Sequence, residues 1–344
     1  MNILILGGTS FTGPHLVRML AAQGHALTLY HRGQHNIDLP PNTTEIHSDL
    51  ADLPAHAAHL RTRHFDAILH MHAMTLHEAQ LAIDAFAGHT SHLVVASSQD
   101  VYAPFGALLK KEERLPSSLP ISEDSPLRTS RYIRGGGAPA YEKIDVEETF
   151  LAHAKKLPVT ILRMPPTYGP HDPNHRFFPF LKRIDDKRPA ILLDPAQGNF
   201  KWSHAYVENV AHAFSLALTA PPPAASLRAR IYNIGEGPHA KTPTIAERLH
   251  EFARAAKYRG QILIVPRDHC PPHLLHDELD FRHDLIINDA AIRKELGYSE
   301  IVPPDEAFRR TIAWQRQNPP PSIDPAEFDY ATEDKVLAAF GLLR

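Results

Sequence analysis

The first thirteen residues constrain the fold more than any other part of the chain. Residues 2–6 (NILIL) form a short apolar run that passes directly into Gly7-Gly8-Thr9-Ser10-Phe11-Thr12-Gly13, and a helical pattern over residues 13–23 follows at once, closed by Gly24. A strand apolar on both faces, a glycine turn and a helix in succession open a βαβ unit, which commits the chain to a parallel sheet covered by helices. The turn also has chemical meaning. Glycine lets the backbone approach a ligand closely, and the free N–H groups of a helix N-terminus favour a phosphate.

The alternation continues along the chain. Apolar runs at residues 26–30, 44–47, 67–70, 92–96 and 159–163 are interleaved with helical patterns at 76–87 and 141–155. The sequence therefore predicts a Rossmann-type α/β fold, a doubly wound parallel sheet of six or seven strands with right-handed crossovers. Residues 1–165 form the sheet domain in this reading. Residues 166–344 form mainly a smaller C-terminal α/β substrate lobe, from which some strands return to the sheet. Helices are expected there at 177–186, 207–219, 244–256, 290–296, 304–317 and 327–340, with strands at 191–193, 230–234 and 261–265. Between Ala103 and Gly137 the pattern lapses into a polar, Pro- and Ser-rich segment, read as a long loop of the kind that forms lids.

Charge and cysteine usage narrow the function classes. The 344 residues carry a formal net charge of -3, which argues against a nucleic-acid binder with its concentrated basic field. No stretch approaches the roughly 20 apolar residues that span a bilayer, and no basic region precedes the N-terminal run as it would in a secretory signal. The single cysteine, Cys270, fits a reducing compartment, and a cytoplasmic address is expected. The 24 histidines are scattered without paired ligand spacing, so no metal site is expected.

The dinucleotide pattern GxGxxG is not matched literally, because Phe11 intervenes and the anchors are Gly7, Ser10 and Gly13. The second strand ends in Tyr30-His31-Arg32-Gly33, where an NAD site usually places an acidic residue against the adenosine ribose. Arg32 instead offers planar, charge-assisted donors to a 2′-phosphate, which tilts the expectation from NAD to NADP.

These motifs and several further ones resemble the extended (atypical) short-chain dehydrogenases/reductases of the NAD-dependent epimerase/dehydratase family. Ser48-Asp49-Leu50 resembles the family's adenine-contacting Asp-Leu pair, and residues 66–73 (DAILHMHA) resemble its fourth strand and nicotinamide-side turn. Residues 94–102 (VVASSQDVY) resemble the strand whose second serine, here Ser98, is catalytic in the family. Residues 161–170 (ILRMPPTYGP) resemble the run that lines the nicotinamide. WSHAYVENV, IYNIG and ELGY follow in family order, so the resemblance covers nearly the whole chain. It implies NAD(P) held by Gly7, Thr9, Ser10, Phe11, Thr12, Gly13, Arg32, Asp49, Leu50, His72, Ala73, Lys143 and Pro165.

The family's catalytic helix carries Tyr and Lys four residues apart, on one helix face, where the lysine ammonium lowers the tyrosine pKa. Lys143, with Glu147 four residues on, resembles that lysine, yet the residue four before it is Pro139, which exchanges no protons. The nearest phenol, Tyr141, is two residues before Lys143, and a continuous helix would turn it roughly 200° away. Three readings stay open. Tyr141 reaches the nicotinamide from a distorted first turn; Tyr132 or a histidine substitutes; or the chain binds a dinucleotide without the usual chemistry. The catalytic set implied by the resemblance is Ser98, Tyr141 and Lys143.

Nucleotide-sugar members of the family enclose a diphosphate with basic residues of the C-terminal lobe. Arg176, Lys182, Lys201, His204 and Arg282 are candidates, with Lys201, His204 and Arg282 assigned to the substrate, and Tyr168, His171 and His175 are candidate sugar contacts. The resemblance implies an NAD(P)-dependent epimerase/dehydratase or reductase acting on a small sugar or nucleotide-sugar by hydride transfer. It also implies a homodimer paired through the helices at 76–87 and 141–155. The alternative is a dinucleotide-binding regulatory or RNA-contacting protein, which the missing Tyr-x-x-x-Lys spacing favours.

Overall fold

The computed structural model describes residues 1–35, 37–113, 118–135, 140–224, 226–238 and 241–343. Gly136, Gly137 and Pro139, to which the sequence reading attaches weight, lie outside the described residues. The N-terminal half runs β1 (Asn2–Leu6), α1 (Thr12–Ala22), β2 (Ala26–His31), β3 (Thr43–His47), α2 (Leu53–Thr62), β4 (Ala67–His70), α3 (Leu76–Phe86), β5 (Leu93–Ser98), α4 (Ala103–Leu108), α5 (Lys143–Ala152) and β6 (Val159–Met164). The C-terminal half follows with β7 (Thr167–Tyr168), α6 (Phe178–Asp185), β8 (Ala190–Leu193), α7 (Pro195–Gly198), β9 (Ala205–Tyr206), α8 (Val207–Thr219) and β10 (Ala229–Asn233). It closes with α9 (Ile245–Ala255), β11 (Gln261–Ile264), α10 (Ala290–Leu296), α11 (Pro304–Gln317) and α12 (Tyr330–Ala339).

Seven parallel strands form the central sheet in the order β10-β6-β5-β4-β1-β2-β3. The order reverses between β1 and β4, and the crevice at such a switch point is where open α/β sheets bind ligands. Central strands read as uninterrupted apolar runs because both faces are covered. Leu16, Val17 and Leu20 of α1 and Val210, Phe214 and Ala217 of α8 close one face, while Leu60 of α2, Phe86 of α3 and Phe150 of α5 close the other. Strand β10 returns from the C-terminal half to pair with β6, in the register Ala229↔Val159. The remaining C-terminal elements bury a separate aromatic core in which Tyr168, Phe177, Tyr206, Phe252 and Phe308 pack together.

Two expectations need correction. The segment after Ala103 is not a polar loop throughout: Pro104 sits in the first turn of α4, every residue of that helix is buried, and Phe105 and Leu108 pack with Ile121, Phe200, Leu285 and Ile287. The helix is six residues long, too short to show a period, and its burial depends on residues distant in sequence. The second correction concerns the helix at 141–155, which begins only at Lys143. Glu142 is extended (φ -155°, ψ 102°) and caps it by accepting the Ile144 N–H at 3.0 Å.

Candidate active site

The loop after β1 is shaped by its glycines. Gly7 has φ +94°, and a Cβ on Gly13 would lie 2.3 Å from the Gly8 carbonyl, so α1 starts against the loop at a distance that excludes any side chain. The N-terminus of α1 has no side-chain cap and no acidic residue in its first turn; the Gly13 N–H bonds the Ser10 carbonyl at 2.9 Å, and an anion can take up N–H groups beside it. Beside it opens a cleft of about 390 Å³, lined by Gly7, Thr9, Ser10, Phe11, Thr12, Arg32, Asp49, Leu50 and His72 among others. Gly13 supports the loop from behind. Ala73, Lys143 and Pro165 do not line this cleft; Pro165 lines the neighbouring one described below.

Several lining groups escape sequence reasoning. His70 ends β4 fully buried, held by burial at about 4 and therefore neutral, and its Nδ1 has no hydrogen-bond partner among the described residues. Glu78 closes the same end, accepting the Met74 and Thr75 N–H groups at 2.7 and 3.0 Å. Among the described residues Arg32 makes no ion pair. A free helix N-terminus, an orphaned buried nitrogen and a free guanidinium fit the pyrophosphate and adenosine of a dinucleotide.

Strand pairing also groups His31, Glu45 and His47, whose ligand atoms lie within 4.8 Å of one another. Sequence spacing hides this because His31 and His47 become neighbours only through the β2–β3 register. The Gly33 N–H donates to His31 Nδ1 at 3.1 Å, so the ring proton belongs on Nε2, which donates to Glu45 at 3.0 Å. The trio is a hydrogen-bonded cluster in that tautomer.

A second cleft of about 180 Å³ adjoins the first at Met164, which lines both. Its walls include Ser98, Asp100, Phe105, Arg134, Pro165, Arg176 and Trp202. Tyr141 precedes the cap of α5, so the rotation imposed by a continuous helix does not apply. Its hydroxyl donates to Asp100 Oδ2 at 2.8 Å, and the Ser98 side chain stands beside it. Burial and the Asp100 carboxylate push this phenol far above its ordinary range, while Arg134 and Ser98 pull the other way. Tyr132 is half exposed and donates to Asp145 on the outer side of α5, which removes it as a substitute phenol. Asp100 and Arg134 were invisible as site residues in the sequence; only the turn after β5 and the segment before α5 bring them together.

The basic residues assigned to the substrate are placed elsewhere. Arg282 is 71% exposed and bound to Asp280, Lys182 pairs with Asp186, and Lys201 uses its backbone N–H on Asp284. His204 bonds the Trp202 carbonyl at 2.8 Å, and burial holds it well below its ordinary pKa. Of these candidates only Arg176 lines the cleft, anchored by Asp172 and the Thr167 carbonyl.

Lys143 lies beneath Tyr141, 5.8 Å from the ring centre, with Nζ donating to the carbonyls of Ala73 and Ala96 at 2.6 and 2.9 Å. An ammonium has three donors, so one remains. Burial lowers it from 10.5 to about 8, against the pull of Asp100, Glu78 and Glu147. The folded value lies below the unfolded one, so its contribution to stability is complete above pH 10.5 and lost as pH falls through about 8. Near neutrality the buried charge costs about 3 kcal/mol. Lys143→Met should therefore compare best with wild type in Tm at pH 7 and lose ground steadily toward pH 10. Calorimetry in matched buffers reads this, and an offset independent of pH would contradict it.

Residues 3–235 match the NAD dependent epimerase/dehydratase family. Over 175 residues the chain is 30% identical to the uncharacterized protein YbjS of Escherichia coli (strain K12), a stretch covering 46% of this chain and 50% of that relative, about half its length. In structure it is similar to a UDP-glucose 4-epimerase from Thermotoga maritima solved with UDP-glucose (TM-score 0.66, 16% identity, 92% of this chain and 99% of that one). It is also similar to a dTDP-glucose 4,6-dehydratase from Bacillus anthracis solved with NAD (TM-score 0.66, 17% identity, 92% and 97%). With the glycine loop at the switch point of a seven-stranded parallel sheet and the match running from β1 through β10, this chain belongs to the NAD dependent epimerase/dehydratase family.

Proposed function

We propose that the chain is an NAD(P)-dependent enzyme that works by hydride exchange at a sugar carbon of a nucleotide-sugar, as an epimerase, dehydratase or reductase. One juxtaposition carries the reading: the Tyr141 phenol stands against Ser98 and Asp100, two residues that line a cleft meeting the dinucleotide cleft at Met164. The relatives solved with UDP-glucose and with NAD support the same class.

When bound, the nicotinamide supplies reversible hydride exchange. Ser98 and Tyr141 hold the reacting oxygen between two hydroxyls, and Lys143 provides a fixed positive charge beneath them. Arg176 presents its guanidinium to an anionic group of the substrate, and Phe105 and Trp202 offer apolar walls to a sugar ring. Arg32 stands at the end of β2 beside His31, Gln34 and His35 in the lining of the cleft, and it selects NADP over NAD through the 2′-phosphate. No described helix is long and apolar enough to cross a membrane.

Turnover of UDP-glucose, UDP-galactose and dTDP-glucose, each with NAD+ and NADP+, tests the site. Tyr141→Phe and Ser98→Ala should each lower kcat about a hundredfold or more while cofactor Kd changes little. Turnover unaffected by both substitutions would contradict the assignment. For the cofactor, calorimetric titration should show NADP+ binding more tightly than NAD+, with Arg32→Ala weakening NADP+ about tenfold and leaving NAD+ unchanged, because one charge-assisted contact is worth about 1.5–3 kcal/mol before solvent screening. Equal affinities throughout would remove the NADP preference.

A further inference from the structure

Asp100 is 2% exposed, yet only one of its two carboxylate oxygens is engaged among the described residues. Oδ2 accepts the Tyr141 hydroxyl at 2.8 Å and Arg134 Nη2 at 2.9 Å, while Oδ1 has no hydrogen-bond partner among the described residues. A carboxylate kept for stability would be expected to saturate both oxygens, since a buried acceptor without a partner is costly. The phenol beside it gives its only proton to that carboxylate, leaving the lone pairs of Tyr141 Oη to accept a bond from the cleft.

We infer that Asp100 is the proton store of the site, receiving the substrate hydroxyl proton through Tyr141 in a two-step relay. This rests on the reading that Tyr141 holds the reacting oxygen. In the oxidising direction the substrate O–H proton passes to Tyr141 Oη as the phenol's own proton passes to Asp100 Oδ2. The C–H bond breaks with its electron pair leaving as hydride to the oxidised nicotinamide, and the carbonyl forms. Tyr141 is neutral before and after, so no phenolate has to be generated next to a carboxylate. In the reducing direction both protons run back.

Asp100 is therefore a positioning and storage group, acting only through Tyr141. The charged groups beside the pair are Arg134 from the segment before α5 and Lys143 from α5, and Arg176 lines the same cleft. Arg128 reaches the Asp100 carbonyl with Nε at 2.7 Å and so fixes its backbone.

The coupling is read first without any ligand. In protein labelled with [13Cζ]tyrosine, the resonance assigned to Tyr141 by its loss in Tyr141→Phe should move with one acid-side titration. That titration should vanish in Asp100→Asn and persist in Asp100→Glu. A resonance flat with pH in wild type, or titrating alike in wild type and Asp100→Asn, overturns the relay. With whichever of the three nucleotide-sugars turns over, Asp100→Asn should lower kcat by about 10²–10⁴ and abolish the acid limb of the kcat profile, with Asp100→Glu restoring both. Asp100→Asn matching wild type in rate and profile while Tyr141→Phe is inactive removes the relay alone. Full activity of Tyr141→Phe removes the underlying function reading, and the relay with it.

Discussion

The buried pair of Arg128 and Glu142 is the interaction on which the catalytic geometry depends. Both side chains are fully shielded, and the guanidinium meets the carboxylate through two bonds at 2.6 and 2.8 Å. Arg128 also donates to the carbonyls of Asp100 and Ser130, and Glu142 accepts the N–H groups of Tyr132 and Ile144. One pair thus ties together the turn after β5, the segment leading to α5 and the first turn of α5. Two desolvated charges are tolerated only because each is so fully bonded; loss of either partner strands the other, at a cost of about 3–5 kcal/mol. Holding Glu142 extended is what keeps Tyr141 off the helix and over Asp100.

A second buried network sets the depth of the site. Glu147, one turn beyond Lys143 on α5, takes Arg163 of β6 at 2.7 Å and the Ser97 hydroxyl of β5 at 2.5 Å. Arg163 continues to the Tyr102 hydroxyl at 2.8 Å, which donates in turn to Asn233 of β10 at 2.7 Å. Helix α5 is pinned to three strands by polar bonds under the apolar packing, and Lys143 is carried with it to the carbonyls that receive its ammonium. Ser98 and Lys143 thus sit on a strand end and a helix start, elements that hold a side chain more firmly than a loop does, while Tyr141 and Arg134 come from the segment before α5.

Much of this was legible in the residues. The strands at 2–6, 67–70 and 159–163, the helices at 207–219, 290–296 and 304–317, and the glycine loop all emerge from period and composition, because their packing partners impose simple apolar patterns. The placement of Tyr141 was not legible. Local spacing puts it on the wrong side of a helix, and only a contact fourteen residues away, Arg128 to Glu142, starts that helix late enough to free it. Asp100 and Arg134 look like ordinary surface charges in the sequence, and their meeting depends on the same contact. Lys201, His204 and Arg282 follow the expected order in sequence but do not line the cleft: the His204 ring bonds the Trp202 carbonyl and the Arg282 guanidinium pairs with Asp280.

The central claim is that Tyr141, released from α5, presents its phenol to the cleft beside Ser98 and Asp100. A crystal structure with NADP+ bound tests it most directly. The account predicts α5 beginning at Lys143 and the Tyr141 hydroxyl within about 3.2 Å of Asp100 Oδ2, facing the nicotinamide side of the cleft. A helix continuous through Tyr141, with the phenol turned to solvent and Asp100 bonded to Arg134 alone, would contradict it.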